Sequence, residues 1–328
     1  MPLKVAIIRL TAMGDIIHSA SVLPKLSESF HQKIEITWFV DSHFAEILQN
    51  CPFVKNLVTI PLKDSLKNRD FSKIKEIILD LRQRDFDMVI DFQGLIKSAI
   101  LGKFLKTQQY FGFSFKSTKE SLASFFYTNQ VEIPYKEHIL LRNATLLFSA
   151  FKLPIPNLES LLHTKAFLGY DSQIPLPPLK EKTKILCVLE TSKKNKTYPK
   201  EKFIEFAKML NDFSIKPYFL TYSANLSENE NFIPLNNLSL NAIKSLINKM
   251  DLIIGGDTGI THLAWAFNKP SITLFGATPP KRFHLLTKQN LYLCGNENPN
   301  YKKNDFSIKN ITKEQIFDFS KALLGNKL

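Results

Sequence analysis

The segment from Asp251 to Phe267 constrains the fold of this chain more than any other. Asp251-Leu252-Ile253-Ile254-Gly255 reads as a short buried strand, Asp257-Thr258-Gly259-Ile260-Thr261-His262 as a tight polar turn, and Leu263-Ala264-Trp265-Ala266-Phe267 as the start of a helix. A strand that enters a helix through such a turn aims the free N–H groups of the first helical turn outward, beyond the strand's carboxyl end. Gly259 lets a bulky group approach the backbone, Thr258 adds a hydroxyl, and His262 stands one helical turn above Asp257 and Thr258. The arrangement suits a diphosphate, and so a nucleotide or nucleotide sugar. Read alone, it is as well described as a capped helix with Asp257 or Thr258 at the N-cap.

The same alternation runs through the chain. Residues 4–10 are a β-branched strand, followed by the turn Thr11-Ala12-Met13-Gly14-Asp15 and by Ile16, Ile17, Ala20, Leu23 and Leu26 at helical spacing. Strands follow at 34–40 and 54–60. Ile74, Ile77, Ile78 and Leu81 make residues 63–84 one amphipathic helix, and 88–91 is another strand before the turn at Gly94. Prolines 154, 156, 175, 177 and 178 bracket an interdomain passage, and the pattern then restarts. Strands at 184–189, 216–220, 252–255 and 271–275 alternate with helices at 200–211, 240–249 and 261–267. A last amphipathic helix, 312–324, is expected to pack back onto the first domain. This is the signature of two α/β domains with parallel sheets, whose ligands bind at the carboxyl ends of the strands.

Composition narrows the partners. The formal net charge of +13 implies an anionic partner: nucleic acid, anionic lipid or a phosphorylated glycan. The charge is also partly lysine spread evenly along the chain, which needs no partner. No RNA-binding or zinc-finger signature accompanies it. Cys51, Cys187 and Cys294 are odd in number and far apart, which predicts reduced, cytosolic thiols. The start, Met1 to Arg9, does not read as a signal peptide, and no stretch approaches the ~18 apolar residues of a membrane span. The seven histidines show no close ligand pairing, so no metal is expected. Neither G-x-G-x-x-G nor a Walker loop is present, which argues against a standard dehydrogenase or P-loop enzyme.

Three further turns could carry chemistry. Asp15, at the mouth of the first strand, is either a helix cap or a general base facing an acceptor hydroxyl. Asp91-Phe92-Gln93-Gly94 with Lys97 repeats the pattern on a later strand, as a cap with a surface lysine or as a binding element. Thr191-Ser192-Lys193-Lys194-Asn195-Lys196 sets hydroxyls and lysines before a helix, which suits phosphate oxygens or is a charged solvated loop. Asp85-Phe86-Asp87 has the D-x-D form of some metal-dependent transferases, but it precedes a strand and reads as an aspartate-capped turn.

Taken together, these pieces resemble the lipopolysaccharide heptosyltransferases. The resemblance rests on Ile8 to His18, Ile90 to Ala99, Glu120 to Tyr127, Lys196 to Pro199, Asp257 to Leu263 and Pro270 to Pro279, and spans nearly the whole chain. Leu122-Ala123-Ser124 and Gln93-Gly94 favour type I over type II. The resemblance implies a GT-B glycosyltransferase: two Rossmann-like domains facing across a cleft, with residues 1–165 binding the acceptor and 166–328 the nucleotide sugar. It implies inverting transfer of L-glycero-D-manno-heptose from ADP-heptose to the Kdo residue of Kdo-lipid A, with no cofactor and no metal. It also implies a cytoplasmic enzyme peripheral on the inner membrane. Asp15 matches the family's catalytic base. Thr191, Ser192 and Lys196 match its diphosphate contacts, and Asp257, Thr258, Gly259 and His262 its donor loop. Glu228 is the candidate nucleoside contact, although the family's glycine-then-glutamate pattern is not kept near Tyr222 and its register is open. Tyr198 stands where the family usually has tryptophan. Lys63, Lys67, Arg69 and Lys119, with Gln93 and Lys97, suit an acceptor bearing carboxylates and phosphates on an anionic membrane. Alternatives are heptosyltransferase II, another GT-B transferase with a different acceptor, or, remotely, a basic nucleic-acid-binding α/β protein.

Overall fold

The structure is a computed structural model that describes every residue except Ala224, together with all side chains but those of Lys63 and Ala224. The chain divides into two compact units, Met1–Gly169 and Tyr170–Leu328.

The first unit holds a six-stranded sheet: β1 (Leu3–Ile8), β2 (Ile34–Asp41), β3 (Asn56–Ile60), β4 (Met88–Asp91), β5 (Tyr110–Phe113) and β6 (Asn129–Val131). Its order is β3-β2-β1-β4-β5-β6, and every pairing is parallel. The second unit repeats the plan with β7 (Ile185–Val188), β8 (Tyr218–Thr221), β9 (Ile233–Asn236), β10 (Leu252–Gly256), β11 (Ser271–Phe275) and β12 (Asn290–Cys294). Its order, β12-β11-β10-β7-β8-β9, is the same doubly wound pattern, again parallel throughout. Strand order reverses between β1 and β4 and between β7 and β10. At each reversal the flanking helices leave in opposite directions, which opens a crevice at the carboxyl ends. The central strands are buried on both faces, as their aliphatic runs demand.

The sequence differs from its structure in several places. Residues 63–84 form two helices, Leu62–Lys67 and Phe71–Leu81. Arg69 has φ +52° between them, and Asp70 caps the second helix by accepting from the Lys73 N–H at 2.9 Å. The last helix, Lys313–Leu324, packs against the helix Lys200–Asn211 and β10 to β12 of its own unit. Tyr198 suits its place: it is buried in the second core and its hydroxyl donates to the Ile311 carbonyl at 2.9 Å. Asp87 accepts from the Lys4 N–H at 2.8 Å, at the start of β1.

Candidate functional site

Each crevice gathers polar side chains, and each is built from residues that directly follow buried strands. In the first unit the chain leaves β1 through Arg9 and Leu10 and enters the helix Met13–Ala20, which carries Asp15 in its first turn. Arg9 is buried. Its Nη1 donates to the Phe92 carbonyl at 2.6 Å and its Nη2 meets Asp15 Oδ2 at 2.8 Å. Among the described residues only Oδ2 of Asp15 is engaged, by Arg9 and more loosely by the Ala12 N–H, and the side chain is partly exposed. A carboxylate held at one oxygen and open at the other is the geometry a general base needs.

Gln93 braces this turn. Its Oε1 accepts from the N–H of Leu10 at 2.7 Å and of Thr11 at 3.2 Å, and its Nε2 donates to the Thr11 hydroxyl. Gln93 is itself fixed by Asp91, which accepts from the Gln93 and Gly94 N–H groups and from the hydroxyls of Ser98 and Tyr127. Burial pushes the Asp91 carboxyl above its ordinary range, although those four donors pull the other way. Gln93 thus spends its amide on the backbone that presents Asp15. Lys97 lines a cavity of about 460 Å³ with Leu10, Thr11, Asp41, Phe44, Leu62 and Leu66. Lys67, Arg69 and Lys119 are exposed, and the Lys63 side chain lies outside the described residues.

In the second unit, β10 ends at Gly256 and the helix Gly259–Ala266 begins three residues later. A Cβ on Gly256 would stand 2.1 Å from the Lys196 carbonyl oxygen, so the bare backbone lets the 191–196 loop press onto the strand end. That contact sets Lys196 beside Asp257: its Nζ bonds Asp257 Oδ2, and His262 Nε2 meets Oδ1 at 3.2 Å. Burial works against charge on Asp257, but the bond from His262 and the Lys196 ammonium outweigh it and hold the carboxyl well below the usual range. The ammonium, the buried imidazole and the start of the helix stand together at one strand end, an arrangement whose charge and dipole favour an anion. Thr191 turns its hydroxyl to the Lys193 carbonyl and the Thr197 hydroxyl, shaping the loop, while Ser192 is exposed. Glu228 does not join this group. It is exposed and pairs with Lys216, which precedes β8, at 3.5 Å.

Comparison with known proteins settles the family. Residues 74–314 match the profile of glycosyltransferase family 9 (heptosyltransferase). Lipopolysaccharide heptosyltransferase 1 of Campylobacter coli is 37% identical over 99% of this chain and 100% of its own length. The chain belongs to glycosyltransferase family 9. The Pseudomonas aeruginosa lipopolysaccharide heptosyltransferase 1 is 26% identical over 85% of this chain and 80% of its own. Among solved structures, E. coli heptosyltransferase WaaC with ADP-2-deoxy-2-fluoro heptose aligns with a TM-score of 0.79 at 21% identity, covering 97% of this chain and 99% of that one. E. coli ADP-heptose lps heptosyltransferase II aligns at 0.76 and 18% identity, covering 99% of each. The fold is therefore GT-B, and the chain is a glycosyltransferase.

Within this family member, sequence reasoning passed over Arg9, Glu190 and the group Asp41, His43 and Asp64. Glu190 follows β7 and accepts from the Thr221 and Ser223 hydroxyls and from the Tyr222 and Ser223 N–H groups, at 2.6 to 3.0 Å. Burial opposes its charge, yet these donors hold its carboxyl below the ordinary range. His43 Nδ1 lies 2.7 Å from the buried Asp41, which lines the cavity, and Nε2 lies 3.5 Å from Asp64. The available signal was position: Arg9, Asp91, Glu190 and Asp257 are each charged residues ending or directly following an aliphatic run.

Proposed function

We propose that the protein transfers L-glycero-D-manno-heptose from ADP-heptose to the Kdo residue of Kdo-lipid A, with inversion, as a step of lipopolysaccharide inner-core assembly. The full-length likeness to the Campylobacter coli lipopolysaccharide heptosyltransferase 1 supports the reaction. The observation that carries its chemistry is Lys196, set with Asp257 and His262 at a helix N-terminus beyond β10.

In this reading Asp15 takes the proton of the acceptor hydroxyl through Oδ1 as that oxygen attacks the anomeric carbon. The bond to the diphosphate breaks, and its growing negative charge falls on Lys196 and the helix N–H groups. Those cations and dipoles make a metal unnecessary, so turnover is expected to persist in EDTA. Thr191 and Ser192 belong to the diphosphate loop. Glu190, at the crevice itself, is a better placed nucleoside contact than Glu228. On the acceptor side, Lys97 and the basic residues Lys63, Lys67, Arg69 and Lys119 would hold carboxylates and phosphates, while Gln93 acts through the backbone it braces. An acceptor held in a bilayer makes the enzyme peripheral on the cytoplasmic face of the inner membrane. No helix among the described residues is long and apolar enough to cross one.

The test is product mass after incubation with ADP-heptose and Kdo-lipid A. Addition of one heptose to Kdo-lipid A supports the reading. Transfer only to an acceptor that already bears heptose would make the protein a type II enzyme.

A further inference from the structure

We propose that Asp41 binds the acceptor sugar: one oxygen of its carboxylate receives sugar hydroxyls in the cavity at the carboxyl end of β2. The proposal rests on the reading of the first unit as the acceptor unit.

Asp41 is the last residue of β2, a strand buried from Ile36 onward. A carboxylate at that position is carried out of water, and its side chain is only 4% exposed. The Asp41 N–H donates to the Leu10 carbonyl at 3.2 Å, which fixes it against the chain running from β1 into the Asp15 turn. Oδ1 accepts from the His43 N–H at 3.1 Å and lies 2.7 Å from His43 Nδ1. Among the described residues, none bonds Oδ2. Capping of the short turn Ser42–Phe44 accounts for Oδ1 alone. Asparagine or serine would cap that turn as well, so the cap does not explain a charged group withdrawn from water. An unpaired oxygen there costs stability unless something donates to it.

The surroundings define the donor. Asp41 lines the cavity of about 460 Å³ with Thr11 and Lys97, among the apolar Leu10, Phe44, Leu62 and Leu66. A largely apolar wall with a few polar groups is the make-up of a small-molecule site. The apolar side chains suit the C–H faces of a sugar ring, and Asp41 and Thr11 suit its hydroxyls. The Lys97 ammonium disfavours a cation as the partner of Oδ2 and suits a carboxylate on the same sugar. The class is thus a polyhydroxylated sugar acid. Thr11 precedes the helix that carries Asp15, so such a sugar would lie against the turn that presents the proposed base. The cavity wall is tied to the carboxylate as well. His43 Nε2 lies 3.5 Å from Asp64 Oδ2, in the helix Leu62–Lys67 that contributes Leu62 and Leu66.

The experiment titrates the full chain with the methyl glycoside of Kdo and, in parallel, with that of L-glycero-D-manno-heptose, and follows acceptor kinetics of the same proteins. Asp41→Asn keeps an oxygen for the His43 N–H and turns Oδ2 into an amide donor. It should weaken Kdo glycoside binding and raise the acceptor KM by ~10–100-fold, the loss of one hydrogen bond to a charged group. Both kcat and the donor KM should stay within about threefold. Monodeoxy glycosides separate contact from scaffold: the analogue lacking the hydroxyl that Asp41 receives should bind parent and variant equally. Should the variant fold poorly, the carboxyl-carbon NMR signal of Asp41 in the parent answers the same question. It should move with the intact glycoside and stay still with that analogue. A variant that matches the parent, or a carboxyl signal that does not move while the Kdo glycoside binds, would overturn the proposal and leave the acceptor reading standing. Binding of the heptose glycoside alone, still dependent on Asp41, would keep Asp41 as a sugar contact and remove the proposed acceptor. Binding of neither glycoside would overturn the proposal.

Discussion

Arg9 and Asp15 act as one unit at the residue scale: the guanidinium occupies Oδ2 and is fixed in turn by the Phe92 carbonyl. Asp15→Asn should lower kcat by ~10²–10⁴ and leave ADP-heptose affinity nearly intact, as measured by turnover and calorimetry. Arg9→Met removes the support and not the base. It should lower kcat about 10-fold at unchanged donor affinity, with Arg9→Lys restoring much of the loss, because only the orientation of Asp15 is at stake. A donor affinity that falls with kcat would place Arg9 elsewhere in the mechanism. Asp257 supplies a pH prediction. Its carboxyl is held low in the folded state, so its contribution to stability is full above the ordinary carboxylate value, near pH 4, and is lost as pH falls towards the depressed folded value. Asp257→Asn should therefore lower Tm at neutral pH, by of order 2–3 kcal/mol in stability, and the gap from the parent should narrow in an acid melting series. A gap that stays constant down to pH 2 would show that the pair with Lys196 and His262 is not what stabilises the loop.

At the level of elements, the central strands and their helices were legible and the edges were not. β1, β4, β7 and β10 are aliphatic runs buried on both faces, which periodicity finds. β6 is only Asn129-Gln130-Val131, and β9 carries Pro234 in Ile-Pro-Leu-Asn; edge strands with one partner tolerate both, so their pattern is weak. β5, Tyr-Phe-Gly-Phe, and β12, Asn-Leu-Tyr-Leu-Cys, were missed for similar lack of β-branched residues. The break in the expected long helix was signalled by Asn68-Arg69-Asp70, a stop followed by an N-cap that the apolar periodicity concealed. The loop proposed to hold the donor yields a prediction here. Gly256→Ala places a Cβ against the Lys196 carbonyl and must displace the 191–196 loop from the strand end. Donor affinity should fall at least 10-fold, approaching the loss in Lys196→Ala, which removes a charge-assisted contact worth roughly 1.5–3 kcal/mol. Calorimetry with ADP showing parental affinity in both variants would move the diphosphate away from this loop.

Across the whole molecule, the two units share one strand order, and the polar groups gather at the carboxyl ends beside each reversal. Asp15, Lys196, Asp257 and His262 could be read from the sequence because each sits within a strand-turn-helix unit a few residues long. The ties that gather polar groups within each unit could not. Arg9 to Phe92 and Gln93 to Leu10 each span 83 positions, and only the placement of β1 beside β4 brings them together. Glu190 was hidden in the same way, since its partners at 221–223 arrive through the pairing of β7 with β8. The net charge of +13 pointed to an anionic partner without locating it. The central claim is the reaction itself, and mass spectrometry of the lipid product tests it most directly. With ADP-heptose and Kdo-lipid A, the account predicts addition of one heptose, dependent on Asp15 and undiminished by EDTA. An acceptor whose mass is unchanged in the presence of folded, ADP-binding protein would contradict it.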